Sequence, residues 1–539
     1  MSQQSSTDRE RLLAAERRRL RPSPHGKVRL AIGYPNSYAV AMSSLAWQWV
    51  TELSARAEQV GVERFVAEPG LLGRTLESGS DLRAFDVVAF SCSFELDAVG
   101  ILRCLDAAGI PRRWDDRVAG DPLVVVGGSV ATINPLPLAP VVDVFALGAA
   151  ERCWRTVIER VADGHDRDRL LDDLADSDGF FIPSRHLDPE GRPTRTLRRL
   201  EKRDAHMRGA SDVPASHVVT PNTVYADRGL VEMSRGCPEK CRYCWVSYNA
   251  GRLRCYPSEA ILDRVRELAT VTRRIGLVAT AVGDHPELPT ILAACREMDL
   301  DVALSSLRIP AMVPEVLEPL AASGARSVTI APETGSDRLR TALNKPIPNE
   351  RILAAVDTAQ RCGLPDLKMY FIVGLPEETD DDLEAVGDLL RGAHELMVAH
   401  GRSRGRVGSL HAGVSLLVPK PYTPYQRAPM LSRAEFRRRI ARVQASCRGL
   451  PGLRLDLPSW REAVWQGLLS RGDRDVFLEL GEVADGLPLS DVLSRSQRLQ
   501  RICLSEPDDH PVWSFIASAP QVRRVGSDVS TASPTVPVR

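Results

Sequence analysis

Residues 235–245 read RGCPEKCRYCW and place Cys237, Cys241 and Cys244 in a C-x₃-C-x₂-C spacing. Eight further cysteines (92, 104, 153, 255, 295, 362, 447 and 503) stand singly and read as small buried apolar residues. A structural zinc site wants four ligands, and an ordinary iron–sulfur cubane takes four thiolates. Three thiolates on a [4Fe–4S] cube leave one iron without a protein ligand. An open coordination position separates a catalytic metal centre from a structural one. The short spacing lets one loop wrap three corners of a cube, and Pro238, Glu239 and Lys240 suit such a loop. The competing reading is a zinc knuckle with a distant fourth ligand. The cysteines stand at the head of a repeated strand–helix pattern, which argues against it.

That pattern is what must position them. A chain of 539 residues is too long for one core and predicts two or three domains. In the first half, VRLAIGYP, DVVAFSCS, PLVVVGGS and VVDVFALG are apolar, β-branched runs separated by amphipathic stretches. They predict a parallel, doubly wound sheet covered on both faces. Glycines close its strands at GGS and LGAAE, where such sheets bind ligands. Residues 184–225 turn polar and read as a linker. From 226 strand and helix alternate about six times, predicting a partial (β/α)6 barrel with its function at the carboxyl ends of the strands. Residues 1–26 read as a flexible N-terminus, 431–505 as a small α-rich extension and 506–539 as a disordered tail.

Composition narrows the function. Hydrophobic residues make up 43% and charged residues 26%, normal for a globular chain. Lys+Arg and Asp+Glu balance at 70 each, so no global basic field invites nucleic acid. No apolar run approaches the roughly 20 residues that span a bilayer, and residues 1–20 lack the apolar stretch of a signal peptide. The expected location is the cytoplasm.

The motif Cys237-x₃-Cys241-x-Tyr243-Cys244 resembles that of radical S-adenosylmethionine (SAM) enzymes, with an aromatic residue before the third cysteine. The resemblance implies a [4Fe–4S] cluster whose open iron chelates SAM and an electron that cleaves it to a 5′-deoxyadenosyl radical. SVTIAPETGSDRLRTALNK (327–345) resembles the family segment in which Glu333 contacts the SAM ribose. LKMYFIVGLPEET (367–379) resembles the segment bordering the adenine, at Gly374. Ser305 and Arg308 stand where a hydroxyl and a guanidinium would hold SAM. Asp284, in AVGDHPEL, takes the place of the family's Gly-Gly-Glu acid for the SAM amine.

Residues 125–151 resemble cobalamin-binding domains fused to many such enzymes, in which Gly-Gly and a later Gly-x-x-Glu flank the nucleotide tail. This implies a cobalamin-binding-like Rossmann domain over 27–183, with Ser91, Ser93, Gly127, Gly128, Thr132 and Gly148 as candidate contacts, and the radical SAM barrel over 226–430. The loop after the first strand, YPNSYAVAMSSLAW, has no histidine. Cobalamin would bind without a histidine from that loop, or the domain binds no cofactor. YPNSYAVAMSSL, FDVVAFSCSFEL, LVPKPYTPYQ and LLSRGDRDV extend the resemblance to a fused sub-family of undefined reaction.

The expected function is hydrogen abstraction from a small molecule for cobalamin-assisted methylation or rearrangement. A cobalamin-independent cyclase, epimerase or dehydratase is the alternative, and a tRNA methylthiotransferase-like enzyme a third. The expected partners are a small-molecule substrate and an electron donor such as flavodoxin or ferredoxin, with no membrane and no nucleic acid. Tyr38, Trp47, Trp245, Tyr248, Tyr370, Tyr422 and Tyr425 are aromatic candidates to approach substrate, with core packing as the competing reading. Nothing in the sequence selects a hydrogen donor among Cys255, Cys295, Cys362 and the tyrosines.

Overall fold

The computed structural model describes residues 3–505, apart from 59, 165, 195–204, 206 and 208, together with 512–516. In the first domain, strands β1 (Val28–Tyr34), β2 (Val60–Val66), β3 (Val87–Ser91), β4 (Leu123–Gly127), β5 (Val144–Ala146) and β6 (Phe180–Phe181) form one sheet. Its order is β2-β1-β3-β4-β5-β6, parallel except for the last pair. Nearly every residue of these strands is buried, which is why they read as continuous apolar runs. Helices α1 (Leu45–Ala55), α2 (Ala98–Ala107) and α3 (Ala150–Ala162) cover the faces. The strand order reverses between β1 and β3, the kind of switch point where a crevice opens beyond the carboxyl ends.

The second domain holds seven parallel strands. β7 (Arg228–Glu232), β8 (Arg274–Val278) and β9 (Asp301–Leu304) form one sheet in the order β9-β8-β7. β10 (Ser327–Glu333), β11 (Asp366–Val373), β12 (Leu410–Leu416) and β13 (Leu453–Asp456) form the next in sequence order. The two sheets join end to end through Leu307 N–H, which donates to Thr329 O at 2.9 Å. Helices connect successive strands; the longest, Asp380–Arg404, starts at a capping box of Thr379 and Asp382 and stops at Gly405 in the left-handed region.

Four sequence expectations are corrected. β13 lies in the stretch expected to be a small α-rich extension; its LRLD alternates half-buried and exposed residues, too short and polar to signal a strand. The N-terminus is not loose over its whole length. Gln3–Ala14 is helical, and Arg17–Arg18 pairs with Val218–Val219. The Glu16 carboxylate is fully buried, 2.8 Å from Arg64 Nη2 and 2.7 Å from the Tyr38 hydroxyl. The expected linker therefore contributes a strand at Val218–Val219, although much of 195–208 lies outside the described residues. Within the expected tail, Trp513 and Ile516 are buried, and Phe515 packs on Phe181 at 5.0 Å between ring centroids; residues 506–511 and 517–539 lie outside the described residues.

Three carboxylates of the first domain each meet a cation of the remainder. Arg264 donates to Glu52 at 2.7 Å, Lys420 to Glu95 at 2.5 Å, and Arg235 to Glu151 at 2.7 Å. No helix of the described residues is long and apolar enough to cross a membrane.

Candidate active site

The cysteine loop leaves β7 through a small hairpin in which Ser234–Arg235 pairs with Arg254–Cys255. Gly236 turns the chain at φ +83°, where a Cβ would lie 2.3 Å from Arg252 O, so only glycine fits there. Cys237 and Cys241 are buried and Cys244 half-buried. Burial pushes the Cys241 thiol up to about 11, with Lys345 opposing and the other two cysteines adding to the rise. Burial likewise raises Cys237, opposed by Arg308. Cys237 and Cys241 thus resist ionisation, and a cationic partner would favour their thiolates. Among the described residues no three or more His, Cys, Asp or Glu side chains converge as a single ion would require. A cube presents separate irons to separate thiolates, so the donor set fits a cluster better than one ion.

An ion network stands on each side of the loop. On the Cys241 side, Glu333 ends β10 at φ +69°, after a register shift against β11 between Ile330 and Glu333. A non-glycine residue there carries about 1–3 kcal/mol of strain, and such strain gathers at functional sites. Its buried carboxylate accepts from the Tyr243 hydroxyl at 2.7 Å and from Lys345 Nζ at 2.7 Å. Burial first, and then the Glu333 charge, push the Tyr243 phenol well above its ordinary range. On the Cys237 side, Arg308 donates to Asp284 Oδ1 at 2.5 Å and to Glu239 in the loop itself. Asp284 Oδ2 is buried and unpartnered.

Beside the loop, between the domains, lies a cavity of about 900 Å³. Ser91, Gly127, Gly128, Thr132 and Gly148 line it from the first domain; Gly236, Trp245 and Ser305 line it from the second. Gly236 and Trp245 are the direct chain neighbours of Cys237 and Cys244. Gly128 (φ +99°) and Gly148 (φ +114°) occupy backbone conformations that side chains rarely adopt.

The structure therefore brings Tyr243, Glu333, Arg308 and Asp284 around the cysteine loop. The remaining sequence candidates are distributed differently. Ser305 faces the cavity, its hydroxyl donating to Ala279 O at 2.9 Å. Thr132 lines the cavity while its hydroxyl donates to Ser129 O at 3.0 Å. Gly374 (φ +89°) gives its N–H to Glu378 at 2.9 Å, so that donor is already used. Ser93 does not line the cavity; it stands beside the Tyr34 hydroxyl, because it lies beyond the last residue of β3. Tyr38 and Trp47 are core residues, bonded to Glu16 and to Ile32 O, and Tyr422 is bonded to Trp513 O. Tyr248 and Tyr425 flank the loop through Lys240 and Arg242, and Tyr370 is partly exposed on β11.

The sequence reading passed over Lys345, Trp49 and Arg235, and took Glu239 only as a residue suited to the loop. Lys345 stood inside the quoted 327–345 segment, and Arg235 stood two residues before Cys237. Their signal was adjacency to the motif, while their partners are distant in sequence.

The fold and site define a two-domain α/β protein with a three-thiolate loop facing a cleft between its domains. Residues 231–390 match the family model described as the Radical SAM superfamily, and residues 55–183 match that of radical SAM proteins, N-terminal. The chain carries a radical SAM domain preceded by the N-terminal domain of radical SAM proteins. It is 23% identical over 493 residues to an uncharacterized protein of Methanocaldococcus jannaschii, covering 90% of this chain and 98% of that one. It is 24% identical to an uncharacterized methyltransferase of Pyrococcus horikoshii over 57% of this chain and 66% of that one. A ribosomal protein uS12 methylthiotransferase of Desulfotalea psychrophila is 23% identical over 57% of this chain and 72% of that one. Among solved structures, the radical SAM methyltransferase TsrM of Kitasatospora setae, with cobalamin and a [4Fe–4S] cluster bound, shares the fold. Its TM-score is 0.55 at 14% identity, over 87% of this chain and 99% of that one. Membership in the radical SAM family brings a [4Fe–4S] cluster and SAM, and the three-thiol loop fits the cluster.

Proposed function

We propose that this radical SAM enzyme carries out cobalamin-assisted methylation or rearrangement of a small molecule held in the interdomain cavity. The observation that carries the reading is that cavity. Its 900 Å³ suits a sizeable ligand, its glycine-bearing wall is the carboxyl end of the first sheet, and its opposite wall includes the chain neighbours of two cluster cysteines. Support also comes from the Pyrococcus horikoshii relative, an uncharacterized methyltransferase, and from the methyltransferase TsrM, solved with cobalamin and with a tryptophan substrate bound.

When bound, cluster and SAM would supply the hydrogen-abstracting radical, and cobalamin would supply the methyl group. The chain's own residues hold and orient. Arg308 would exchange Glu239 for the SAM carboxylate, since both offer an anionic oxygen to one guanidinium. Asp284 Oδ2, without a donor, would take the SAM amine. Glu333, fixed by Tyr243 and Lys345, would accept the ribose hydroxyls, and Gly374 would let the adenine approach. Lys240 and Arg242 are exposed on the cysteine loop and would meet an acidic electron donor such as flavodoxin or ferredoxin.

The methylthiotransferase relatives favour no second reading. Cys92, Cys104 and Cys153 are each buried, Cys104 and Cys153 within separate helices and Cys92 beyond β3. Iron, sulfide and corrinoid content of anaerobically purified protein, after addition of hydroxocobalamin, tests the proposal. About four irons and one corrinoid per chain are expected, with 5′-deoxyadenosine formed on reduction with SAM. A filled cluster with no corrinoid retained would overturn the cobalamin role and leave the cobalamin-independent enzyme.

A further inference from the structure

Much of the interdomain cavity wall is apolar, through Ile32, Leu45, Phe90, Val125 and Trp154. One part is not. Glu151 projects from the first turn of α3, and its Oε1 accepts two donors, Trp49 Nε1 at 2.8 Å and Arg235 Nη2 at 2.7 Å. Its Oε2 has no donor and no contact with water. The hairpin residue Ser234, 2% exposed, lines the same cavity from the second domain, and its Oγ is also buried without a partner. Arg235 is shared between two carboxylates, its Nε held by Glu232 at 2.8 Å and its Nη2 by Glu151 Oε1. Both residues line one cavity while the unmatched oxygen of each is shielded from water, an anomaly, since buried polar atoms are nearly always paired.

We propose that Glu151 and Ser234 form the polar subsite of the interdomain cavity and receive hydrogen-bond donors of its ligand, primary amide N–H groups. The inference rests on the cobalamin reading and refines it. The rim of a corrinoid carries primary amide arms, and each offers two N–H donors. A ligand with a carboxylate at that point would be rejected, because its anion would face the Glu151 carboxylate. The subsite has a second consequence. Arg235, which grips Glu151, stands two residues before Cys237, so the amide arm would be anchored beside the cluster loop.

The test measures dissociation constants of the full-length protein by absorption titration, with no turnover involved. The probes are hydroxocobalamin and its isolated monocarboxylate isomers, in which one amide arm has become an acid. At least one isomer should bind wild-type protein about tenfold or more weakly than hydroxocobalamin, a ratio set by a charge-assisted hydrogen bond turned to repulsion. Glu151→Gln should weaken hydroxocobalamin by about tenfold and restore that isomer relative to it; Ser234→Ala should weaken hydroxocobalamin by a few-fold. The isomer series on wild-type protein stands even if a variant folds poorly. Equal binding of all isomers to wild-type protein would overturn the subsite while leaving the cobalamin reading intact. Failure of wild-type protein to retain hydroxocobalamin at all would overturn both.

Discussion

At the carboxyl end of the first sheet Gly127, Gly128, Ala146 and Gly148 open a space whose further lining is mostly apolar, with Glu151 its one charged side chain from that domain. At the carboxyl end of the second sheet they are charged and engaged, with Glu333 gripped by Tyr243 and Lys345, and Arg308 by Asp284 and Glu239. On the proposed reading both ends face ligands, one opened by glycines and the other set with preorganised charge. The difference follows from what each must hold. A large neutral ring needs volume, which glycine provides by lacking a Cβ. A charged cofactor on a thiolate-bound cluster needs counter-charges already in place, since reorienting them at binding costs free energy.

The largest effect expected is at the charged end. Cys237→Ala, Cys241→Ala or Cys244→Ala should each abolish the cluster, seen as loss of iron, sulfide and 5′-deoxyadenosine, with the first domain's corrinoid affinity changed less than threefold. A variant that keeps its cluster would end the reading of these residues as ligands.

Next comes the strut that holds the two ends opposite each other. Glu95 is buried and Lys420 half-buried, 2.5 Å apart, with Ser470 and Gln466 donating to the same carboxylate. Burial by itself would raise the Glu95 carboxyl; the Lys420 charge and these hydrogen bonds turn the net shift downward. A carboxylate with a lowered folded value stabilises the protein above its ordinary range, and that stability is lost as pH falls through the folded value. Lys420→Met should cost about 3–5 kcal/mol in urea unfolding. It should also shrink the Glu95 contribution: without the Lys420 charge only Ser470 and Gln466 oppose burial, so the carboxyl rises from its wild-type position and less stability is lost as pH falls. Wild-type and variant with parallel pH profiles would remove the pair from the account.

The smaller effects compare two adjacent glycines. Gly128→Ala places a Cβ 2.5 Å from Cys92 O at φ +99° and should cost about 2 kcal/mol, read as a lower melting temperature. At Gly127 a Cβ meets only Ala146, at 3.9 Å. Gly127→Val should therefore change stability by less than about 1 kcal/mol while filling cavity volume and weakening corrinoid retention. Equal melting temperatures for both variants would mean the strand end is more pliable than its geometry implies.

The parallel sheets were legible because buried parallel strands leave apolar runs, and the cluster loop because ligand spacing is local. What escaped was non-local or polar. Glu16, in a stretch that reads as loose, is buried only because Arg64, some fifty positions on, meets it. β13 carries two exposed charged residues, Arg454 and Asp456, which mask a strand. Ser91 and Ser93 looked equivalent, yet the strand stops at Ser91 and the chain turns before Ser93. Arg235 and Glu151 lie 84 positions apart, and no local pattern announces their contact.

The pairing of Arg17–Arg18 with Val218–Val219 bears on how the chain is made. During synthesis the first sheet has all its strands once Phe181 has left the ribosome, but the segment before it has no strand to pair with until residue 219 follows. Closure of a loop of about 200 residues is slow compared with local folding, so the amino-terminal strap would be among the last parts of the first domain to lock. Until then Glu16 and Arg64 wait as separate charges, and a nascent chain halted before residue 219 would leave its leading segment open to proteases.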